Sequence, residues 1–355
     1  MSAGVYIIDD SAVMRQVMAQ VIDADPDLHC VGSAPDPIAA QRRLAKITPD
    51  VLLLDVDMPR MDGVTFLKHI MSHQPIPVII YTGVTSRHAT LGLEALASGA
   101  IDVIEKPKSQ LTQFLKSEGV KGVLDALKIA ASTKVKPLKY LNEQNLRPKG
   151  DIDQILKPSL PHVPVDGKRL IAIGASTGGT EAIAHLLKGL PSKMPPIVIV
   201  QHMPPSFTQA FATRLNATTG HRVIHATNGL KLKAGHVYIA PGGRHTMVVD
   251  NDGYQVDLSD GPLVQRHKPS VDVLFRSVAQ SAGARGIGVI LTGMGSDGAQ
   301  GLLEMRQAGA MTYAESEMSC VVFGMPKEAI ALGAVQKIYS LQSLPYQLQK
   351  SLVDE

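Results

Sequence analysis

Two series of short, largely apolar runs, parted by a stretch that has none, set the limits on what this chain can fold into. Val5–Ile8, Val51–Leu54, Val78–Tyr81 and Ile101–Ile104 form the first series, with a weaker run near Leu28–Val31. Leu170–Ile173, Ile197–Val200, His236–Ala240 and Gly286–Leu291 form the second, with Ala310–Tyr313 weaker. Runs this short, partly β-branched and mostly apolar suit strands covered on both faces, which is how parallel sheets are built. Helically spaced stretches lie between them: Ala12–Ile22, Val64–Ser72 and Arg87–Ser98, then Gly178–Leu187, Phe207–Leu215 and Val271–Ala282. Strand and helix alternate, so each series predicts a doubly wound α/β domain, the first with five parallel strands. Met247–Leu258 reads as a hairpin turning at Asp252–Gly253.

From Thr133 to Lys168 the alternation stops, and prolines stand among Lys, Asp and Gln. That stretch reads as a linker, with one short helix around Asp151–Leu156. The expected division is 1–128 and 169–355 for the domains and 129–168 for the linker. A chain of 355 residues suffices for two domains. Its 45% hydrophobic and 19% charged residues can build ordinary cores without staples. A net charge of +3, spread along the chain, gives no reason to expect nucleic acid or an anionic membrane as partner. Cys30 and Cys320 are too few and too far apart for a disulfide framework or a metal site, and are expected to be reduced thiols. The N-terminus lacks the pattern of a signal peptide, and no apolar run nears the roughly 20 residues of a membrane span. A cytoplasmic protein without membrane insertion is expected.

Functional groups of open parallel sheets gather beyond the carboxyl ends of the strands. In the first series those positions hold Asp9 and Asp10, then Asp55, then Thr82, then Glu105-Lys106-Pro107. Three carboxylates brought together repel unless a cation joins them, and a hard divalent ion such as Mg²⁺ answers that need. Such an ion also draws charge from a transferring phosphoryl group. Lys106 and Thr82 add a point charge and a hydroxyl for phosphoryl oxygens. An aspartate so placed can accept a phosphoryl group, and the added charge is a switch.

Asp55-Val-Asp-Met-Pro-Arg-Met-Asp-Gly63, the Asp9-Asp10 pair, Thr82 and Lys106-Pro107 resemble the receiver domain of two-component response regulators. The resemblance implies a flavodoxin-like fold with Asp55 as phosphoacceptor. It implies Mg²⁺ held by Asp10, Asp55 and the backbone of Asp57, with Asp9 assisting, and Thr82 and Lys106 at the phosphate. The sequence departs from many receivers at Val103, where an aromatic residue is usual three positions before the lysine.

In the second series the strand ends carry Gly174-Ala-Ser176-Thr-Gly178-Gly179, Gln201-His202 and Thr292-Gly-Met294-Gly-Ser-Asp297-Gly298. A serine hydroxyl attacks well only when a base takes its proton; histidine does this near pH 7, and a carboxylate orients the imidazole. Ser176, His202 and Asp297 are therefore the candidate triad, and the helix starting near Gly178 would aim free N–H groups at an oxyanion. Gly174-x-Ser176-x-Gly178 fits the common hydrolase elbow, yet the order Ser, His, Asp is not that of α/β-hydrolases. A dinucleotide-binding turn is the rival reading, but the third glycine is misplaced and His202 stands where the ribose-binding acid belongs. Among seven histidines of this half, His245 is the alternative base, since its loop could border a pocket.

Ile173-Gly-Ala-Ser-Thr-Gly-Gly-Thr180, Gln201-His-Met-Pro204, Ile239-Ala-Pro-Gly-Gly243, Pro269-Ser-Val-Asp272, Leu291-Thr-Gly-Met-Gly-Ser-Asp-Gly298 and Phe323-Gly-Met-Pro326 are similar to the CheB methylesterase family. So is the order receiver, linker, esterase. The resemblance implies a Ser176-His202-Asp297 triad with the N–H groups of Thr177 and Met294 as oxyanion donors, and no cofactor in the ester step. It implies hydrolysis of glutamate γ-methyl esters on chemoreceptors with release of methanol, and deamidation of receptor glutamines as in related enzymes. Phosphorylation of Asp55 by the chemotaxis histidine kinase would relieve occlusion of the esterase cleft by the receiver, in a monomer serving chemotaxis adaptation. The same residues also leave room for a serine hydrolase with another ester substrate, or an adaptor that binds without turnover.

Overall fold

The computed structural model describes residues 2–58, 61–83, 85–107, 118–133, 135 and 169–352. The chain divides into two compact units, Met1–Lys157 and Pro158–Glu355. The short helix expected near Asp151–Leu156 lies outside the described residues.

In the first unit β1 (Ala3–Ile8), β2 (Leu28–Ala34), β3 (Val51–Leu54), β4 (Val78–Thr82) and β5 (Asp102–Glu105) form one sheet in the order β2-β1-β3-β4-β5. Every pairing is parallel. The alternation of side chains assigns each strand residue to a face. Val5, Ile7, Leu53, Ile79 and Tyr81 pack with Met18 and Ile22 of α1 (Ala12–Asp23) and with Val123 and Leu127 of the helix Glu118–Ser132. That helix runs to Ser132 and still contributes Ala130 to this core. The strand order turns back between β1 and β3, so the crevice beyond their carboxyl ends receives Asp9, Asp10 and Asp55.

The second unit is built on a sheet of seven parallel strands. At its centre is β6 (Leu170–Ala175), with β7 (Ile197–Gln201) on one side and β12 (Gly286–Ile290) on the other. β9 (His236–Ile239) and β13 (Met311–Glu315) flank these three, and β8 (Arg222–His225) and β14 (Lys337–Tyr339) form the edges. The order across the sheet is β14-β13-β12-β6-β7-β9-β8. The expected hairpin is present as β10 (His245–Asp250) and β11 (Tyr254–Ser259), turning through Asp252 at φ 54° and Gly253 at φ 105°. Its Val248 and Val256 join Leu170, Ala172, Val198 and Val200 of the sheet in one core with Leu274, Phe275 and Val278 of the helix Val271–Ala282. Burying each of those three helix side chains contributes about 1.5–3 kcal/mol. The strand order diverges at β6, so the switch-point crevice lies where β6, β7 and β12 end. Among the described residues no helix is long and apolar enough to cross a membrane. Both cysteines are free thiols.

Candidate active site and acidic pocket

Ser176 follows β6 directly, His202 follows β7, and Asp297 stands on the loop after β12. The strand register keeps the first two together. Ala175 pairs with Gln201, the His202 N–H donates to the Ala175 carbonyl at 3.0 Å, and the Ser176 N–H donates to the Thr292 carbonyl at 3.0 Å. Gly293 approaches so closely that a Cβ there would lie 2.7 Å from the Cβ of Ser176. Only glycine fits that approach.

Asp297 is fully buried and has its acceptor capacity filled by fixed donors. His202 Nε2 lies 2.8 Å from Oδ2, and the Val271 N–H donates to the same oxygen at 2.8 Å. The Asp272 N–H and the Ser270 hydroxyl donate to Oδ1 at 3.0 and 2.7 Å. Ser270 caps the helix Val271–Ala282, so the carboxylate rests on that helix's N-terminus. Burial alone would push the Asp297 carboxyl up; the His202 hydrogen bond and charge, with the Asp272 and Ser270 donors, hold it at about 2. The carboxylate thus assigns the proton to Nε2 and leaves Nδ1 as the acceptor. Nδ1 is buried and has no hydrogen-bond partner among the described residues. A serine hydroxyl–imidazole bond is commonly loose before substrate arrives.

The two candidate oxyanion donors are backbone N–H groups in peptide planes whose carbonyls are gripped from behind. The plane carrying the Thr177 N–H ends in the Ser176 carbonyl, which accepts from Gln201 Nε2 at 2.8 Å and from the Gly179 N–H at 2.7 Å. The plane carrying the Met294 N–H ends in the Gly293 carbonyl, which accepts from the Gly324 and Met325 N–H groups at 3.1 and 2.8 Å. In a trans peptide N–H and C=O point opposite ways, so fixing each oxygen aims each N–H. Gly178 supplies the left-handed residue (φ 79°) that starts the next helix, Gly179–Gly189.

His245, the alternative base, is buried and fully engaged. Its Nε2 donates to the Pro262 carbonyl at 2.7 Å and its Nδ1 accepts from the Ser270 N–H at 3.3 Å. It braces the loop before Ser270 and has no nitrogen left to act as a base. His267, which no motif singled out, stacks on His202 instead, with centroids 3.8 Å apart and planes within 4°. Burial, and then the charge of His202, lower its pKa to about 4, so a neutral ring covers one face of the His202 imidazole. A two-residue turn with Gln265 and Arg266 at φ 50° and 68° puts it there. Two non-glycine residues at positive φ are strained, and such strain collects at functional sites.

The first unit brings together Asp9, Asp10 and Asp55, whose carboxylate oxygens lie within 4.8 Å of one another. Lys106 Nζ is 2.7 Å from Asp9 Oδ2 and also binds Asp55 Oδ2. Asp55 accepts in addition from the Asp57 N–H at 3.2 Å. Burial pushes the Asp55 carboxyl above the usual carboxylate range against the pull of Lys106, and the charge of Asp9 adds to the rise. Burial opposes the charge on Lys106 too, yet Asp55 and Asp9 together hold its pKa above the ordinary lysine value. Three carboxylates against one ammonium leave net negative charge lined by oxygen atoms, which fits Mg²⁺. The side chain of Asp57 turns away to His88 Nε2 at 2.9 Å, with Arg87 at 3.7 Å, so only its backbone faces this pocket's chemistry. Thr82 Oγ1 is buried at the strand end with no hydrogen-bond partner among the described residues, a hydroxyl in reserve. Val103 is buried in β5 at the position where the aromatic residue is usual.

Fold and site geometry together define a class: a receiver joined to an α/β unit built like a serine hydrolase. Residues 171–348 match the family model of the CheB methylesterase and residues 5–116 that of the response regulator receiver domain. The protein-glutamate methylesterase/protein-glutamine glutaminase of group 3 operon from Bradyrhizobium diazoefficiens is 48% identical over 97% of this chain and 94% of its own length. A protein-glutamate methylesterase/protein-glutamine glutaminase of Photobacterium profundum is 46% identical over 96% of this chain and 97% of its own. The crystal structure of the Thermotoga maritima CheB methylesterase catalytic domain superposes with a TM-score of 0.51 at 36% identity, over 52% of this chain and 98% of that one. The chain belongs to the CheB methylesterase family, with a response regulator receiver domain ahead of the esterase.

Proposed function

We propose that the chain hydrolyses γ-methyl esters of glutamate on chemoreceptors, that Ser176, His202 and Asp297 carry the reaction, and that phosphorylation of Asp55 by the chemotaxis histidine kinase controls it. The observation that supports it most is the His202–Asp297 pair at 2.8 Å, with the unpartnered Nδ1 left on a base whose backbone adjoins that of Ser176. Membership of the family and the names of its relatives supply the substrate class.

The steps follow from the residues. Ser176 Oγ attacks the ester carbonyl as His202 Nδ1 takes its proton. The charge that forms on the carbonyl oxygen meets the Thr177 and Met294 N–H groups, and each such donor lowers the barrier by about 3 kcal/mol. Asp297 stabilises the imidazolium through Nε2. Nδ1 then returns the proton to the departing methoxide, and methanol leaves a glutamyl ester on Ser176. Water attacks that ester with the same base, and glutamate and free serine are regenerated. A receptor glutamine entering the same sequence would lose ammonia. No cofactor is proposed for these steps.

In the receiver, Asp10, Asp55 and the Asp57 backbone would hold Mg²⁺, with Asp9 beside them. The ion supplies charge withdrawal from the phosphoryl group when bound. Asp55 accepts that group, Lys106 and Thr82 bind its oxygens, and the charge added at Asp55 switches the esterase on. The test is methanol release from methylated receptor membranes. Ser176→Ala abolishes release and receptor binding persists; release that continues in Ser176→Ala overturns the triad, and binding without turnover by the natural chain favours an adaptor.

A further inference from the structure

Thr292 lies at the end of β12, 1% exposed, and the steps above do not use it. Its carbonyl and hydroxyl are nevertheless committed to the loops around the site, and its N–H to the neighbouring strand. Its carbonyl accepts the Ser176 N–H at 3.0 Å. Its hydroxyl donates to the Thr177 carbonyl at 3.0 Å and accepts from the Val322 N–H at 2.9 Å. Its own N–H donates at 2.9 Å to Oε2 of Glu315, a fully buried carboxyl at the end of the neighbouring strand. The next residue, Gly293, donates to the Val322 carbonyl at 3.0 Å, and its carbonyl belongs to the plane that aims the Met294 N–H.

Three segments distant in sequence thus meet at one side chain: the serine loop, the Gly293–Met294 loop and the Val322–Gly324 loop. The first two each present one oxyanion donor, and the third grips the carbonyl behind Met294. The Thr292 hydroxyl is bonded at once to the serine loop and to the third loop. A buried hydroxyl with both functions used, on an N–H held by a buried carboxyl, is costly to assemble unless its position is needed. Valine would fill the same volume without the polar requirement.

We infer that Thr292, held by Glu315, is the positioning residue of the oxyanion site: its hydroxyl sets the distance and angle between the Thr177 and Met294 N–H groups. It touches no substrate and acts through the two backbone donors. This rests on the triad reading above and extends it to a residue which that reading leaves without a role. Misplacing a donor by a fraction of an ångström weakens it only where charge develops, in the transition state, so the cost falls on kcat and not on KM.

The experiment is steady-state methanol release from methylated receptor membranes by the full chain. Thr292→Val lowers kcat by about 10- to 100-fold and leaves KM within about twofold. Thr292→Ser, which keeps the hydroxyl, recovers most of that loss, and the pH profile of every variant superimposes on that of the natural chain because His202 and Asp297 are untouched. Thr292→Ala removes the same hydroxyl without a methyl against Thr177, and shows the same split should the valine variant not fold. A hydroxyl-less variant with kcat within about twofold of the natural chain overturns the inference, as does a serine variant no better than the valine one, or a loss carried by KM. Ser176→Ala, assayed alongside, separates the two claims. An inactive Ser176→Ala with an active Thr292→Val removes only the role of Thr292, whereas an active Ser176→Ala removes the triad itself.

Discussion

The acidic pocket of the receiver and the esterase site are built by the same rule and tuned in opposite directions. Both lie where a parallel sheet reverses its strand order, and both centre on a buried aspartate. Asp55 leans on one lysine side chain and one N–H, faces a second carboxylate, and is pushed towards protonation. Asp297 accepts from three rigid donors and an imidazole, and is held strongly ionised. The first pocket is short of positive charge and keeps a hydroxyl in reserve at Thr82, so it is completed only by groups from outside. In the second the carboxylate's acceptor positions are filled, and the idle atom, His202 Nδ1, is the one a base must have free. A switch has to change its charge state and a catalyst has to keep its own; under the proposed function the hydrogen-bond sets of these two aspartates fit that difference.

The contrast breaks most visibly if the two aspartates respond alike to the same substitution. Asp297→Asn removes the charge that holds the His202 tautomer, and kcat for methanol release falls by about 10³- to 10⁴-fold. A smaller loss would mean that the stacked His267 or another group orients the base. Asp55→Asn, in the same assay, abolishes the response to a small phosphodonor such as acetyl phosphate. Full stimulation in that variant would remove the regulatory reading and leave the esterase reading intact.

The smallest effect sharpens the comparison through pH. Asp297 has a folded pKa near 2, below its ordinary 3.8, so it contributes stability above pH 3.8 that is lost as pH falls through 2, about 2 kcal/mol in all. Asp55 is shifted the other way, so the folded state holds its proton longer than the unfolded chain and stability declines as pH rises past the ordinary carboxylate range. Urea unfolding from pH 3 to 7 should therefore show Asp55→Asn gaining on the natural chain as pH rises, and Asp297→Asn falling behind it. Equal signs for the two variants would contradict the assignment of their environments.

Much of this was legible in the sequence because strands buried on both faces are largely apolar, and the residues after them fall at one sheet edge. Ser176, His202 and Asp297, and Asp9, Asp55 and Lys106, all follow from that rule. The edge strands of the second unit escaped it. Arg222–His225 and Lys337–Tyr339 carry charged or half-exposed residues, since an edge has a solvent side and needs no continuous apolar run. His267 escaped for another reason. Its place depends on a turn through Gln265 and Arg266 at positive φ, and neither residue is one that announces such a turn. Thr292 and Glu315 sit at the strand ends that the rule inspects, but a buried hydroxyl and a buried carboxyl reveal their partners only once the strands are in register.

Everything in the esterase half turns on whether the Ser176 hydroxyl itself becomes acylated, with His202 Nδ1 as its base. The most direct measurement is to quench the full chain in acid during turnover of a methylated receptor segment and locate the adduct by mass spectrometry. The expected result is a glutamyl ester of that segment on Ser176, absent from the Ser176→Ala variant. An adduct on another residue, or a Ser176→Ala variant that still releases methanol with no adduct at all, would contradict it.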